Sequence, residues 1–202
     1  MLVVYPGLPA QNVAELIAFA KLTPGALNYA SAGPASLAHI AGTLFSHLVG
    51  VELTEVPYRS SSAAAIDLSE GRIEIQFGTL APTFGQIRAK KVRALAVTGT
   101  KRVDSLPGVS TLQESGLNGY DIVLWMAVVM PAAGPPAVMA RLNRALRNAL
   151  STKNVVAALE AQGMEPEPTT PNELRDRIRD EITKWRSLAG PADVKAAPQQ
   201  PP

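Results

Sequence analysis

The sequence predicts an α/β fold: a largely parallel sheet with helices on both faces, followed by a helical C-terminal part. Three observations predict it. From Leu2 to Thr98, short apolar or alternating runs trade places with segments whose apolar residues recur every three or four positions, the strand and helix signatures in succession. Two strands break at their carboxyl ends into runs of small residues, Ser31-Ala-Gly-Pro-Ala-Ser36 and Gly78-Thr-Leu-Ala-Pro82, each opening a helix. Beyond Met130 no convincing strand pattern follows.

Leu2 to Tyr5 is a strand stopped by Pro6-Gly7-Leu8-Pro9. Asn12 with Glu15 forms a capping box for a helix that buries Val13, Leu16, Ile17 and Ala20 and stops before Pro24-Gly25. Leu27 to Ala30 is the second strand. From Ser36 a helix places Leu37, Ile40, Ala41, Leu44, Phe45 and Leu48 on one face and ends at Gly50. Val51 to Val56 alternates as a strand. Ser60 to Ser62 offer caps for a helix through Ala63, Ile66 and Leu68, closed by Gly71. Ile73, Ile75 and Phe77 alternate as the fourth strand, and Pro82 suits the first position of the helix that runs to Lys90-Lys91. Val92 to Thr98 is a fifth strand, buried on both faces in a parallel sheet. Thr111 and Glu114 form another capping box for a helix closed by Gly116, and Ile122 to Met130 is the longest apolar run. Helices follow at Pro136 to Leu150, Asn154 to Gln162 and Pro171 to Leu188, the last capped by Thr170 with a core face of Leu174, Ile178, Ile182 and Trp185. Gly190 to Pro202 is rich in Pro, Ala and Gln and reads as a disordered tail.

Composition narrows the function. A chain of 202 residues makes one large domain or two small lobes, and 47% apolar against 18% charged residues describes a globular protein. A net charge of +2 without a basic stripe argues against nucleic acid. The absence of cysteine removes disulfides, thiolate metal sites and cysteine nucleophiles. No apolar run approaches the ~20 residues that span a bilayer, and Met1 to Tyr5 is too short for a signal-peptide core, so no export signal is expected in this chain.

Catalytic signatures are thin. His39 and His47 lie eight residues apart on one helix, without the spacing of a zinc helix, and His39 points away from the apolar face, where a surface histidine is the simpler reading. Glu52, Glu55, Glu70 and Glu74 read as solvated strand or helix ends, and no nucleophile elbow, phosphate loop or dinucleotide fingerprint occurs. The expectation is a non-enzyme with no cofactor and no metal. What remains is the backbone: a strand that turns into a helix through small residues aims N–H groups and the helix dipole at one point, which suits a carboxylate. On local sequence alone, a plain connection between strand and helix explains the same residues and is the more economical reading.

The residues Leu27-Asn-Tyr-Ala-Ser-Ala-Gly33, Val56-Pro-Tyr-Arg59, Phe77-Gly-Thr79, Val92-Arg-Ala-Leu-Ala-Val-Thr98, Glu114-Ser-Gly-Leu117, Ala132-Ala-Gly-Pro-Pro136, Arg141-Leu-Asn143, Ala161-Gln-Gly163 and Glu181-Ile-Thr-Lys-Trp185, in this order, resemble the receptors of tripartite tricarboxylate transporters, the Bug family of periplasmic proteins. The resemblance implies a periplasmic-binding-protein type II-like fold, mostly the second lobe (1–122), then a hinge strand and C-terminal helices (123–189) that would complete a missing first lobe, then the tail (190–202). It implies ligand-binding residues Ser31, Gly33, Ala35, Ser36 and Thr79, a small carboxylate ligand, membrane transporter subunits as partners and a periplasmic location. Ala35 stands where such receptors commonly have glycine, and Pro34 has no N–H to offer. Relatives begin with an export signal and a first lobe of ~100 residues. Without that lobe the chain is expected to expose an apolar face, to self-associate and to be a poor receptor alone. The alternatives are the ligand-sensing effector domain of a bacterial transcription regulator and a small enzyme using His39.

Overall fold

The structure, a computed structural model, describes residues 1–34 and 36–188; Ala35 and residues 189–202, the expected tail among them, lie outside the described residues. The chain divides into two compact units, Met1–Leu124 and Trp125–Leu188.

The first unit is built on β1 (Leu2–Val4), α1 (Val13–Leu22), β2 (Asn28–Ser31), α2 (Leu37–Val49), β3 (Thr54–Pro57), α3 (Ser61–Ser69), β4 (Ile75–Phe77), α4 (Leu80–Arg88) and β5 (Arg93–Ala96). The strands lie in the order β3-β2-β4-β1-β5. β2 is parallel to β3 and β4, with Tyr29 beside Ile75 and Ala30 beside Gln76. β1 runs antiparallel to both β4 and β5, pairing Leu2 with Phe77 and with Ala96. The sheet is therefore mixed rather than largely parallel. Alternation along the sequence reports that a helix joins two strands, whereas strand direction depends on partners about 75 to 95 residues away, Leu2 with Phe77 and Ala96. β5 correspondingly is an edge strand, with Arg93 and Ala94 only half-buried, and its flank is closed by a single bridge between Val97 and Thr111.

Local signals set the helix starts. Asn12 Oδ1 accepts from the Glu15 amide at 2.9 Å, Ser36 Oγ from the His39 amide at 3.2 Å and Ser60 Oγ from the Ala63 amide at 3.2 Å. Thr79 caps α4, so Pro82 falls at the third helical position rather than the first, still among the residues whose N–H would have no partner within the helix. Thr111 and Glu114 make both bonds of a capping box, at 2.8 and 2.9 Å, yet only turns follow before Gly116 at φ +95°, and no helix forms there.

One face of the sheet packs on α2. Phe77 meets the Tyr29 ring edge-on at 6.2 Å and the Phe45 ring at 5.8 Å, and Gly42 lets the helix lie directly on Tyr29. Val3, Ala30, Ala64, Leu68, Ile73, Val92 and Val97 form a second cluster. Arg93 ties the loop after β1 to the edge strand by donating to the carbonyls of Pro6, Leu8 and Ala10 at 2.9, 3.2 and 2.9 Å. The Met1 amine is buried and donates to the Gly78 carbonyl at 2.7 Å and to Thr98 Oγ1 at 3.2 Å; burial lowers its pKa to about 5.

The second unit carries α5 (Pro136–Leu150), α6 (Lys153–Glu160) and α7 (Pro171–Leu188). Its caps are sound: Glu173 accepts from the Thr170 amide at 2.6 Å and its own amide reaches Thr170 Oγ1 at 3.3 Å. Its core is thin, since neither α5 nor α6 buries a residue fully. Ile182, expected on the core face of α7, is exposed, whereas Leu174, Ile178 and Trp185 are half-buried. Val123–Met130, expected as a hinge strand, forms no strand; Met126 is 75% and Val129 74% exposed. An apolar run of this kind needs a partner strand before it becomes one, and none of the described residues supplies it.

Candidate functional site

Parallel β2 and β4 are neighbours, and their carboxyl ends are level: Ala30 pairs with Gln76, so Ser31 and Phe77 leave the sheet side by side, about 5 Å apart. The two small-residue turns predicted from the sequence therefore open at one edge of the sheet, each into a helix, the place where α/β sheets take ligands.

The first turn is tightly wired. The Gly33 amide donates to Ser31 Oγ at 2.8 Å, the Ala32 amide to Ser36 Oγ at 3.3 Å and the Ser36 amide to the Gly33 carbonyl at 3.2 Å. Gly33 sits at φ +90°, a conformation that a residue with a side chain adopts only under strain. The open nest of amides suggested by the sequence is thus partly closed. Among the described residues of this turn and the start of α2, the N–H groups left without a partner are those of Leu37 and Ala38, the first two helical positions, a consequence of helix geometry. Ser31 is 5% exposed and Gly33 is buried, while Ser36 to Ile40 are half-buried. At the second turn Thr79 is exposed; its carbonyl accepts from Thr83 Oγ1 at 2.8 Å and its hydroxyl caps nothing. Beside it the buried Gln76 carboxamide lies against Gly78, and its Oε1 finds no partner among the described residues.

Two residues join this site that sequence reasoning placed elsewhere. Glu55, read as a solvated strand end, accepts the Ser31 hydroxyl on Oε1 and His39 Nδ1 on Oε2, the latter at 2.9 Å. His39, read as a surface histidine, has a side chain only 19% exposed, and that of Glu55 is 27% exposed. Burial first, and the Glu55 charge second, push the Tyr29 phenol above its usual range. The order of the three groups is Ser–Glu–His. A nucleophilic triad needs the imidazole in the middle, next to the hydroxyl; here the acid stands between them and the serine has no base. The signal that could have exposed the cluster is His39 at the third helical position after the Ser36 cap, where side chains turn back toward the helix start. Its partner lies on β3, and only the parallel pairing of Tyr29 with Glu55 brings it there. Glu74, also read as solvated, accepts from the Asn28 amide at 2.8 Å and its side-chain amide at 3.0 Å, fastening the start of β2.

Among the described residues no group of three or more His, Cys, Asp or Glu could hold a metal ion. A groove on the second unit, lined by Met139, Asn143, Arg144, Arg147, Asn148 and Pro168, involves none of the residues above. It is an open surface groove of α5 and the approach to α7, with no arrangement of groups suited to chemistry.

The comparison with known proteins decides the family: residues 1–192 match the tripartite tricarboxylate transporter family receptor. The chain belongs to that family. The chain is 32% identical to protein BugT of Bordetella pertussis over 195 residues, covering 96% of this chain and 60% of that one. Among solved structures, the R. palustris protein determined with adipate superimposes with a TM-score of 0.86 at 32% identity, over 94% of this chain and 63% of its own. MatC from Rhodopseudomonas palustris, with bound malate, gives a TM-score of 0.80 at 26% identity over 93% and 65%. The chain thus spans about three-fifths of the length of these relatives, and its fold is that of part of a periplasmic binding protein. The comparisons lend no support to a transcription regulator or an enzyme.

Proposed function

We propose that this chain is the carboxylate-holding part of a periplasmic solute receptor that feeds a tripartite tricarboxylate-type transporter, and that it performs no catalysis. The observation that carries the reading is the pair of strand–helix turns opening side by side from β2 and β4, in a family whose solved members include proteins bound to adipate and to malate. In this reading the carboxylate lies against the unpartnered amides of Leu37 and Ala38, favoured by the positive end of α2, with the Thr79 hydroxyl donating from the second turn. Ser31, Gly33 and Ser36 act mainly by holding the turn in shape. The same reading assigns Ala35 to this turn, although it lies outside the described residues.

The affinity expected of this chain alone is low. A micromolar receptor has about −8.2 kcal/mol of binding free energy. If one lobe makes half of the contacts, about −4 kcal/mol is left, which is roughly millimolar. An NMR titration of the labelled chain with malate tests this: the Leu37 and Ala38 amides should shift with a millimolar midpoint, and Thr79→Val should weaken binding about three- to tenfold, the worth of one hydrogen bond to a charged group. Micromolar binding would refute the claim of impairment. Shifts confined to the groove on α5 would refute the site. The exposed apolar residues of the second unit, Met126, Val128, Val129, Leu142 and Leu146 among them, further suit self-association of this chain.

A further inference from the structure

We propose that Glu55 is the specificity-determining residue of this site, and that it selects carboxylic acids carrying a hydrogen-bond donor, a hydroxyl or an ammonium, next to the acid group. The inference rests on the receptor reading above and narrows the class of ligand.

It follows from which atoms have protons to give. An ionised carboxylate only accepts, so the bonds at Glu55 have one possible sense: Ser31 Oγ–H donates to Oε1 and His39 Nδ1–H donates to Oε2. Ser31 has then spent its one proton, and it also accepts the Gly33 amide. The hydroxyl expected to greet a ligand carboxylate cannot donate to it. With Nδ1 carrying the proton, a neutral His39 ring presents Nε2 as a further acceptor. The side of the turn formed by β3 therefore shows acceptors, and the partly exposed Glu55 keeps lone pairs to spare.

The donors stand close by. Leu37 and Ala38 are the first two residues of α2 and His39 the third, so the amides and the acid-bearing side lie within one helical turn, about 5.4 Å of axis. A plain carboxylate brought to those amides meets the like charge of Glu55 and has no proton donor of its own to set against it. A carboxylate with a neighbouring hydroxyl or ammonium gives Glu55 a proton donor while its acid group takes the amides. Such a site rejects the simpler ligand through an uncompensated charge rather than through shape.

Malate, aspartate and succinate share a four-carbon diacid skeleton and differ only in a hydroxyl, an ammonium or neither, which makes them the probes. Each is titrated into the labelled chain, and into Glu55→Gln, with the Leu37 and Ala38 amides followed. The substituted carboxamide is close in shape to the carboxylate. Its oxygen can accept from Ser31 and its amide can donate to Nδ1 once the ring proton moves to Nε2, so the charge goes and the frame stays. Malate and aspartate should bind the natural chain about tenfold more tightly than succinate, the weight of one charge-assisted hydrogen bond. In Glu55→Gln the three should fall within about threefold, with the melting temperature unchanged.

Equal binding of succinate and malate by the natural chain overturns the proposal without any variant being needed. So does a preference that survives intact in Glu55→Gln, which would leave Glu55 a purely structural brace. If none of the three acids shifts the turn amides of the natural chain, the receptor reading itself fails, and this inference with it.

Discussion

Gly33 shows what a single residue contributes to this site. A Cβ built there meets nothing within 4 Å, so space is no obstacle; the obstacle is φ +90°. Gly33→Ala should therefore destabilise the chain by about 1–2 kcal/mol, the cost of a left-handed residue, read from the denaturation midpoint. An unchanged midpoint would mean that the turn relaxes freely, and the claim of a pre-shaped turn would fall. Residue by residue, what could be read in advance was local. Asn12, Ser36, Ser60 and Thr170 all cap as their spacing to the next turn requires, because capping is settled within three residues. Glu55 and His39 could not be placed that way, since their contact depends on the pairing of two strands separated by a whole helix.

Among the elements, α2 does most to position the site, and Gly42 fixes how closely it lies on the sheet. A Cβ at Gly42 would stand 2.4 Å from the Tyr29 ring, which is itself held edge-on against Phe77. Replacing a helical glycine by alanine ordinarily gains up to ~1 kcal/mol of helix propensity. Overpacking a filled interior costs about 1–3 kcal/mol, so the clash should win. Gly42→Ala is expected to lose about 1–2 kcal/mol in chemical denaturation; a gain would show that Tyr29 can swing aside. The elements also show where pattern stops short of structure. The Thr111–Glu114 capping box is complete yet heads only a turn, because a cap satisfies amides already in place and does not supply an apolar face for a helix to bury. The apolar run at Ile122–Met130 carries the composition of a strand, but a strand exists only in a ladder.

At the scale of the whole molecule, the two units differ in how much they bury. The first closes a sheet between helices around residues such as Phe45, Leu68 and Tyr120; the second leaves Val128, Leu142 and Ile182 open to water. Self-association driven by that surface should appear as a concentration-dependent rise in sedimentation coefficient. Leu142→Gln with Leu146→Gln should suppress it while shifting stability by no more than about 0.5 kcal/mol, since neither side chain is buried to begin with. A monomer at high concentration would remove the proposal. Sheet direction was the part of the architecture that the sequence hid most completely: alternation announced α/β, but nothing near Leu2 says that its strand runs against β4 and β5.

That reversed strand decides which handle on the protein is safe to use. Because Met1 lies at the end of the sheet where its nitrogen touches the Gly78 carbonyl, anything joined ahead of it must depart from beside Thr79. A tag placed directly ahead of Met1 would crowd the two candidate turns and would replace the buried Met1 amine by a peptide bond.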